Sequence, residues 1–242
     1  MDTSYCLRYL GSIAASIAVN SPLSNLHVHI VNPHEQALER LKAVEQLLGA
    51  DRFSYGVEAA KLVNFSPDQR KTYFASVRFV RLAELMQESP GTYFVMDVDN
   101  LVRADLSNCM TLARGADVLI RNRFSLSPHL AVAACGIVLA NTDAARSFMH
   151  STAGYILDAF HTGHVAWFLD QIALTMALKE PDASVAEMLR VSQLPRGLLD
   201  WDFAPESLVW TGKGKRRLHN ERYQTEYNRY VEVFNHAMLK MK

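Results

Sequence analysis

The sequence has no net charge, few cysteines and no long apolar run, and each absence excludes a class of protein. Its 25 basic and 25 acidic residues cancel among 242, so no whole-chain field favours a nucleic-acid partner or an anionic membrane. Cys6, Cys109 and Cys135 are odd in number and lack metal-ligand spacing, which predicts reduced, buried thiols and a cytoplasmic setting. Since no stretch approaches the roughly 20 apolar residues that span a bilayer, we expect no transmembrane segment.

What the sequence does contain is an alternation of helix-like and strand-like segments, without internal repeats or Pro- and Gly-rich linkers. Apolar residues at helical spacing predict helices at 5–19, 34–48, 68–87, 142–160 and 167–179, and a C-terminal helix over 218–242. Runs of β-type residues predict strands at 26–33, 61–65, 92–96, 116–121 and 131–141, and one from 207 that leads into a basic glycine loop. This order predicts an α/β fold of one domain over 1–242, with a mainly parallel central sheet flanked by helices.

The most informative element is the apolar run TYFVM at 92–96, which ends in Asp97 and Asp99. Carboxylates at the C-terminal end of a buried strand lie where ligands of open α/β sheets bind. Two hard oxygen donors there suit Mg²⁺ or Mn²⁺, held together with the phosphates of a ligand. A solvated turn or a helix N-cap is the alternative. We therefore expect both carboxylates to face one cleft at the end of a central strand.

Five short motifs follow one another along the chain: Ser76-Val77-Arg78, Asp97-Val98-Asp99, the strand 135–141 with Gly136 and Asn141, Asp170-Gln171, and the loop 211–215. Their order resembles glycosyltransferases of the GT-A fold, above all the retaining families that include glycogenin and bacterial lipopolysaccharide galactosyltransferases. In those families a Ser/Ala-x-Arg helix precedes an Asp-x-Asp strand, a strand with Gly and a terminal Asn, a helix that begins near Asp-Gln, and a basic glycine loop. The resemblance covers residues 2–217 and implies a Rossmann-like GT-A domain.

The acidic pair and the glycine loop are expected to balance the charge of a nucleotide-sugar donor. Departure of the diphosphate leaves negative charge on the β-phosphate, which a divalent cation and nearby basic groups stabilise. The resemblance implies that Asp97 and Asp99 bind Mn²⁺ or Mg²⁺. It also implies that Gly212, Lys213 and Lys215 close over the phosphates, with a solvated basic turn as the alternative.

The other motifs are expected to contact the sugar. The resemblance places Asp170 near the reacting carbon, where its carboxylate stabilises an oxocarbenium-like transition state with the help of Gln171. The alternative for Asp170 is a helix N-cap. Arg78 is expected to reach sugar hydroxyls or phosphate, or else to form a surface ion pair. Gly136 either makes room for the sugar or serves close strand packing.

Two parts of the chain depart from the family pattern. Several retaining families supply a third metal ligand from a His, where this chain has Val209; His219 could replace it, although we expect that ring to be solvent-exposed. Asp2 and Tyr5 resemble the Asp-x-x-Tyr that follows the first strand and contacts the base. Because Met1 stands almost at the start of the first helix, that strand is either missing or replaced by another segment.

The resemblance implies transfer of a hexose from a nucleoside-diphosphate sugar to a hydroxyl acceptor with retention of configuration. The expected donor is a UDP-sugar. The acceptor is an unidentified glycan, lipid-linked or protein hydroxyl. A degenerate GT-A domain that binds sugar or nucleotide, or acts as a scaffold, is one alternative. A nucleotidyltransferase is another, although the Gly-rich, basic loop typical after its first strand is not seen in the sequence.

Overall fold

The computed structural model describes residues 1–107, 109, 115–123, 127–179, 189–212 and 216–240. The chain forms two compact units. Unit 1 comprises Met1–Ala60, Asp97–Thr111 and Pro195–Lys242, and unit 2 comprises Lys61–Met96 and Leu112–Leu194. The acidic pair therefore belongs to unit 1, whereas the strand that precedes it belongs to unit 2.

The elements follow in α/β order along the chain. The helices are α1 (Thr3–Asn20), α2 (Glu35–Leu48), α3 (Pro67–Glu88), α4 (Pro128–Ala131), α5 (Asp143–Thr162), α6 (Leu169–Lys179), α7 (Arg216–His219) and α8 (Glu221–Lys240). The strands are β1 (Leu26–Val31), β2 (Phe53–Glu58), β3 (Tyr93–Val95), β4 (Leu101–Val102), β5 (Val118–Asn122), β6 (Val132–Leu139), β7 (Val191–Gln193), β8 (Leu199–Asp200) and β9 (Val209–Trp210). Among the described residues, no helix is both long and apolar enough to cross a membrane.

Unit 1 is built around α1, which packs against α2 and α8. The helical stripe predicted for the C-terminal helix is confirmed, because Tyr223, Tyr230 and Phe234 of α8 are buried. Gly11 of α1 lets the two helices approach, since an added Cβ would lie 3.0 Å from the ring of Phe234. Strands β1 and β2 pair in parallel, and a second sheet of this unit has the order β4-β9-β8.

The predicted strand at 61–65 is wrong, and β2 takes its place. Of that apolar run Leu62 is buried, but Val63 is 81% exposed, and the segment leads into Ser66, the N-cap of α3. β2 was overlooked because Gly56 interrupts its β-type residues. Tyr55 and Val57 of that strand are exposed, so the apolar alternation does not mark a core face here.

Unit 2 contains a four-stranded sheet of order β3-β6-β5-β7, covered by α3, α5 and α6. Its buried core includes the following side chains from both helices and strands: Phe79, Met86, Val118, Ile120, Ile137, Leu139, Phe148 and Leu174. Helix α3 begins with a capping box between Ser66 and Gln69, and Pro67 is its first residue. Strand β3 stands at one end of this strand order, so the prediction of a central strand before the aspartates is not met in the described sheet.

Strand pairing is mixed rather than mainly parallel. Among the described strands, β1–β2, β5–β7 and β8–β9 are parallel, whereas β3–β6, β5–β6 and β4–β9 are antiparallel. Just nine residues connect β5 to β6, and the described ones among them include the short helix α4; a parallel pair needs a crossover of about a dozen residues or more. The α/β class is confirmed with this correction, and the single-domain organisation stays a prediction.

A buried carboxylate joins three segments of unit 2. Asp117 accepts hydrogen bonds from the backbone N–H of Arg190 at 2.8 Å, from its guanidinium at 3.1 and 3.2 Å, and from the Thr142 hydroxyl at 2.9 Å. Thr142 is also the N-cap of α5. Burial raises the pKa of Asp117, but the hydrogen bonds from Arg190 and Thr142 outweigh burial and leave the pKa below its usual value.

Candidate functional site

The acidic pair forms a turn directly after β3. The N–H of Asn100 donates to the carbonyl of Asp97 at 3.1 Å, and this closes the turn. Asp97 is half-buried and Asp99 is buried. The prediction that the two carboxylates follow a strand end is therefore met, although the turn itself belongs to unit 1.

Asp99 forms an ion pair with Arg217 of α7. Nη1 of Arg217 lies 2.9 Å from Oδ2 of Asp99, and the two side chains are only 11% and 8% exposed. Arg217, which stands two residues past the basic loop, was not predicted as a site residue from the sequence. The signal that could have found it is the cluster of basic residues in GKGKRR at 212–217.

Four further contacts hold the Arg217 guanidinium. Nη1 donates to the carbonyl of Gly212 at 2.8 Å, Nε donates to the hydroxyl of Tyr9 at 3.2 Å, and Nη2 donates to the hydroxyl of Tyr5 at 3.3 Å. The guanidinium carbon also lies 5.3 Å from the centre of the Tyr9 ring. Burial lowers the pKa of Arg217, but the nearby Asp99, Tyr9 and Tyr5 outweigh burial and raise the pKa above its ordinary value, so the cation is permanent.

Gly212 makes room for this arginine. A Cβ added to Gly212 would lie 2.5 Å from Cδ and 2.7 Å from Cβ of Arg217, which no side chain can tolerate without displacing the arginine. Gly212 was expected to approach a phosphate. That expectation stays a prediction, and in the structure Gly212 leaves space for the Arg217 side chain and accepts one of its hydrogen bonds.

Tyr223 of α8 fixes the backbone of the acidic turn. Its hydroxyl donates to the carbonyl of Asp99 at 2.5 Å. Burial raises the pKa of Tyr223 well above its ordinary value, and the charge of Asp99 adds to this effect. The hydroxyl therefore stays protonated as a donor, and α8 positions Asp99 from the backbone side.

The other predicted site residues of unit 1 are Asp2, Tyr5, Lys213 and Lys215. Asp2 is the N-cap of α1, because its Oδ1 accepts the N–H of Tyr5 at 2.8 Å. Tyr5 accepts a hydrogen bond from Arg217, the ion-pair partner of Asp99. Lys213 and Lys215 lie outside the described residues.

The arrangement of unit 1 does not fit a divalent cation on Asp99. The carboxylate already has a buried guanidinium as its counter-ion, and a metal would have to displace that guanidinium or bind beside a second positive charge. Within the described part of the chain, no group of three or more His, Cys, Asp or Glu side chains could hold a metal ion. Val209 is buried in β9, and His219 is exposed as expected.

Unit 2 contains a second cluster, formed by Arg78 and Asp170. Nη2 of Arg78 lies 3.5 Å from Oδ2 of Asp170 and donates to the carbonyl of Ala134 at 3.2 Å. The side chains of Arg78 and Asp170 are 22% and 10% exposed, so Arg78 does form an ion pair, but a largely buried one rather than one at the surface. Two predicted sugar-contacting residues, 92 positions apart, are thus brought together.

An irregularity in β6 supplies the carbonyl of Ala134. Ile120 pairs with Ile137 but Asn122 pairs with Val132, so β6 carries extra residues against β5 at this point. Gly136 lies in this segment with φ +85°, a left-handed conformation that favours glycine. Gly136 therefore permits the distortion beside the Arg78 contact.

Asp170 is the second residue of α6, not the residue before it. Its Oδ1 accepts the N–H of Gln171 at 2.8 Å, and the positive end of the helix dipole favours the charged carboxylate there. Gln171 is half-buried, and its carbonyl accepts the hydroxyl of Thr175. The carboxylate thus has both a structural contact in the helix and an ion pair with Arg78.

Comparisons with known proteins identify the fold. No family model matches the chain, and no curated protein matches it. Solved structures do match. A galactosyltransferase, LgtC, in complex with donor and acceptor sugar analogs gives a TM-score of 0.64 at 13% identity, over 97% of this chain and 93% of that one. The glycosyltransferase GlyE of Streptococcus pneumoniae TIGR4 gives a TM-score of 0.60 at 13% identity, over 100% of this chain and 62% of that one.

A bifunctional glycosyltransferase, WbbM, matches with a TM-score of 0.56 at 13% identity, over 96% of this chain and 48% of its own. The chain thus spans about half the length of WbbM and less than two thirds of GlyE. These likenesses show that the chain has the fold of GT-A glycosyltransferases, as the motifs predicted.

Proposed function

We propose that this protein is a glycosyltransferase that moves a hexose from a nucleoside-diphosphate sugar to a hydroxyl acceptor with retention. The expected donor is a UDP-sugar, and the acceptor is a glycan, a lipid-linked sugar or a protein hydroxyl. The observation that carries the proposal is the buried ion pair of Arg78 and Asp170 at the start of α6, in a fold shared with glycosyltransferases.

The chemistry of the proposal needs negative charge near the reacting carbon. The carboxylate of Asp170 stabilises an oxocarbenium-like transition state, because positive charge develops on the sugar as the diphosphate departs. Arg78 holds this carboxylate in one orientation through their ion pair. Gln171 assists by hydrogen bonding to the sugar.

Positive charge is needed at the departing diphosphate. A divalent cation, Mn²⁺ or Mg²⁺ on Asp97 and Asp99, remains the prediction from the motif, and it would supply Lewis-acid stabilisation of the leaving group. The contact of Asp99 with Arg217 argues against a metal ion on Asp99. Arg217 is itself a cation that could stabilise the leaving group. Transfer is compatible with either source of charge.

One structural observation supports a second candidate. Because Asp99 already has a buried counter-ion, a degenerate domain that binds a sugar nucleotide without turning it over is the alternative. Such a domain would bind nucleotide but leave the donor intact.

A panel of nucleotide sugars tests the proposal. We expect slow, acceptor-independent hydrolysis of one or more UDP-hexoses, followed as release of UDP, and tight binding of UDP by calorimetry. Binding of UDP without hydrolysis of any donor would favour the degenerate module. Absence of both binding and hydrolysis, with the fold intact by circular dichroism, would refute the transferase.

A further inference from the structure

We infer that Arg217 supplies the fixed positive charge that binds the donor diphosphate, so that nucleotide binding and transfer need no divalent cation. This inference rests on the proposed function and concerns the same site. The acidic pair predicts a metal ion, but Asp99 contacts the buried guanidinium of Arg217. The inference follows from this difference.

Asp99 already has a counter-ion in the position that a metal ion would take. Oδ2 of Asp99 lies 2.9 Å from Nη1 of Arg217, and both side chains are almost fully buried. Removing one member of a buried pair leaves the other charge without compensation, which costs several kcal/mol in typical proteins. A divalent cation would have to meet that cost in addition to its own dehydration, whereas a diphosphate meets a cation that is already in place.

The guanidinium of Arg217 is preorganised for binding an anion. The guanidinium is held in one orientation by Asp99, by the Gly212 carbonyl and by the hydroxyls of Tyr9 and Tyr5. A planar guanidinium presents N–H groups in a fixed fork that matches phosphate oxygens. A cation fixed before binding loses little entropy when the ligand arrives.

The exposure of its neighbours decides from which side a phosphate can approach Arg217. The contacts of Nη1 and Nε with Gly212 and Tyr9 are partly buried, whereas Nη2 meets Tyr5, whose side chain is exposed. A phosphate oxygen would therefore reach Arg217 at its Nη2 edge and exchange with the Tyr5 hydroxyl. This edge gives Tyr5 a role beside the diphosphate rather than the base.

Calorimetric titration with UDP tests the inference, with wild-type protein in EDTA and again with Mn²⁺. We expect UDP to bind in EDTA, with less than about a threefold gain from Mn²⁺. Arg217→Gln should weaken binding about tenfold or more, as expected for loss of a charge-assisted hydrogen bond. Arg217→Lys should give an intermediate value because it keeps the charge but loses the fork. Arg222→Gln, at an exposed position in α8, is the control and should match wild type.

Asp99→Asn separates the two sources of charge even if the arginine variants fold poorly. If Arg217 binds the phosphates, this variant should keep UDP binding in EDTA within about threefold, because the cation remains and loses a competing anion. Mn²⁺ added alone should show no binding to wild type by electron paramagnetic resonance. UDP binding only with Mn²⁺, lost in Asp99→Asn and unchanged in Arg217→Gln, would overturn the inference but leave the transferase in place. Wild type that binds no nucleotide with or without Mn²⁺ would overturn both.

Discussion

Each unit contains a buried ion pair, and the two pairs differ in how tightly the arginine binds the carboxylate. Asp99 is 2.9 Å from Arg217, whose guanidinium has three further hydrogen-bond partners. Asp170 is 3.5 Å from Arg78, which is twice as exposed as Arg217 and shares its Nη2 group with a carbonyl. The tight pair neutralises its carboxylate and fixes a cation. The looser pair orients its carboxylate with a longer contact, and we propose that this carboxylate can still respond to positive charge on a substrate.

The largest expected effect comes from removing the charge of the looser pair. Asp170→Asn should lower the rate of donor hydrolysis by about a hundredfold or more and leave UDP binding nearly unchanged, because the carboxylate acts mainly in the transition state. Initial rates and calorimetry on the same preparation measure both. Asp158→Asn, at an exposed position in α5, is the matched control. A full hydrolysis rate in Asp170→Asn would show that Asp170 only stabilises the start of α6.

Arg78 should show a smaller effect of the same kind. Arg78→Gln should lower the hydrolysis rate about tenfold, because it removes the group that orients Asp170, and Arg78→Lys should recover part of the loss. The ratio of the two rates is the readout, since a merely structural role would lower the melting temperature of both variants without separating their rates. Equal rates in the two variants would contradict an orienting role.

Gly212→Ala tests the pair of Asp99 and Arg217 by steric hindrance, without changing any charge. The added methyl group meets the Arg217 side chain at 2.5 Å, so we expect destabilisation of about 1–3 kcal/mol and weaker UDP binding. Gly154→Ala is the matched control, because nothing lies within 4 Å of its added Cβ in α5 and alanine favours helix. Denaturant unfolding should therefore give opposite signs for the two variants. Unchanged stability in Gly212→Ala would show that Arg217 moves aside freely.

The smallest effect is expected at a third ion pair, where the arginine is 63% exposed and Asp117 is 3% exposed. Arg190→Gln should lower the stability at neutral pH only slightly, because solvent screens the charge of the exposed arginine. The pKa of Asp117 is lowered in the folded protein, so the stabilisation is present above its unfolded value of 3.8 and is lost as the pH falls through the lowered folded value. Wild type and variant should converge in acid. Urea melts at neutral and acidic pH measure this, and a constant difference would contradict the linkage.

Local patterns predicted much of the fold because they are local. The stripe of α8, the capped α3 helix and the turn after β3 all follow from residues close together in sequence. The direction of β6 did not follow, because it depends on the connection from β5 rather than on the strand's own residues.

The site was predicted residue by residue but not pair by pair. Arg78 and Asp170 were both singled out, yet their contact depends on how α3 and α6 pack around the irregular β6 strand. Arg217 was missed because a buried arginine and an exposed one look the same in a basic segment. Gly212 was singled out for its approach to phosphate, whereas its contact in the structure is with Arg217.

The packing of α1 against α8 has a consequence for synthesis of the chain. Tyr227 donates to the carbonyl of Arg8 across 219 residues, and Phe234 covers Gly11 beside it. At about 5–20 residues per second, a ribosome takes roughly 10 to 40 seconds to make the partner that α1 requires. Until then α1 is covered by α2 but not by α8, and its residues that face α8 stay uncovered, while the residues of unit 2 are already complete. We therefore expect nascent chains stalled before α8 to associate with chaperones through α1, and chains released after α8 to lose that association.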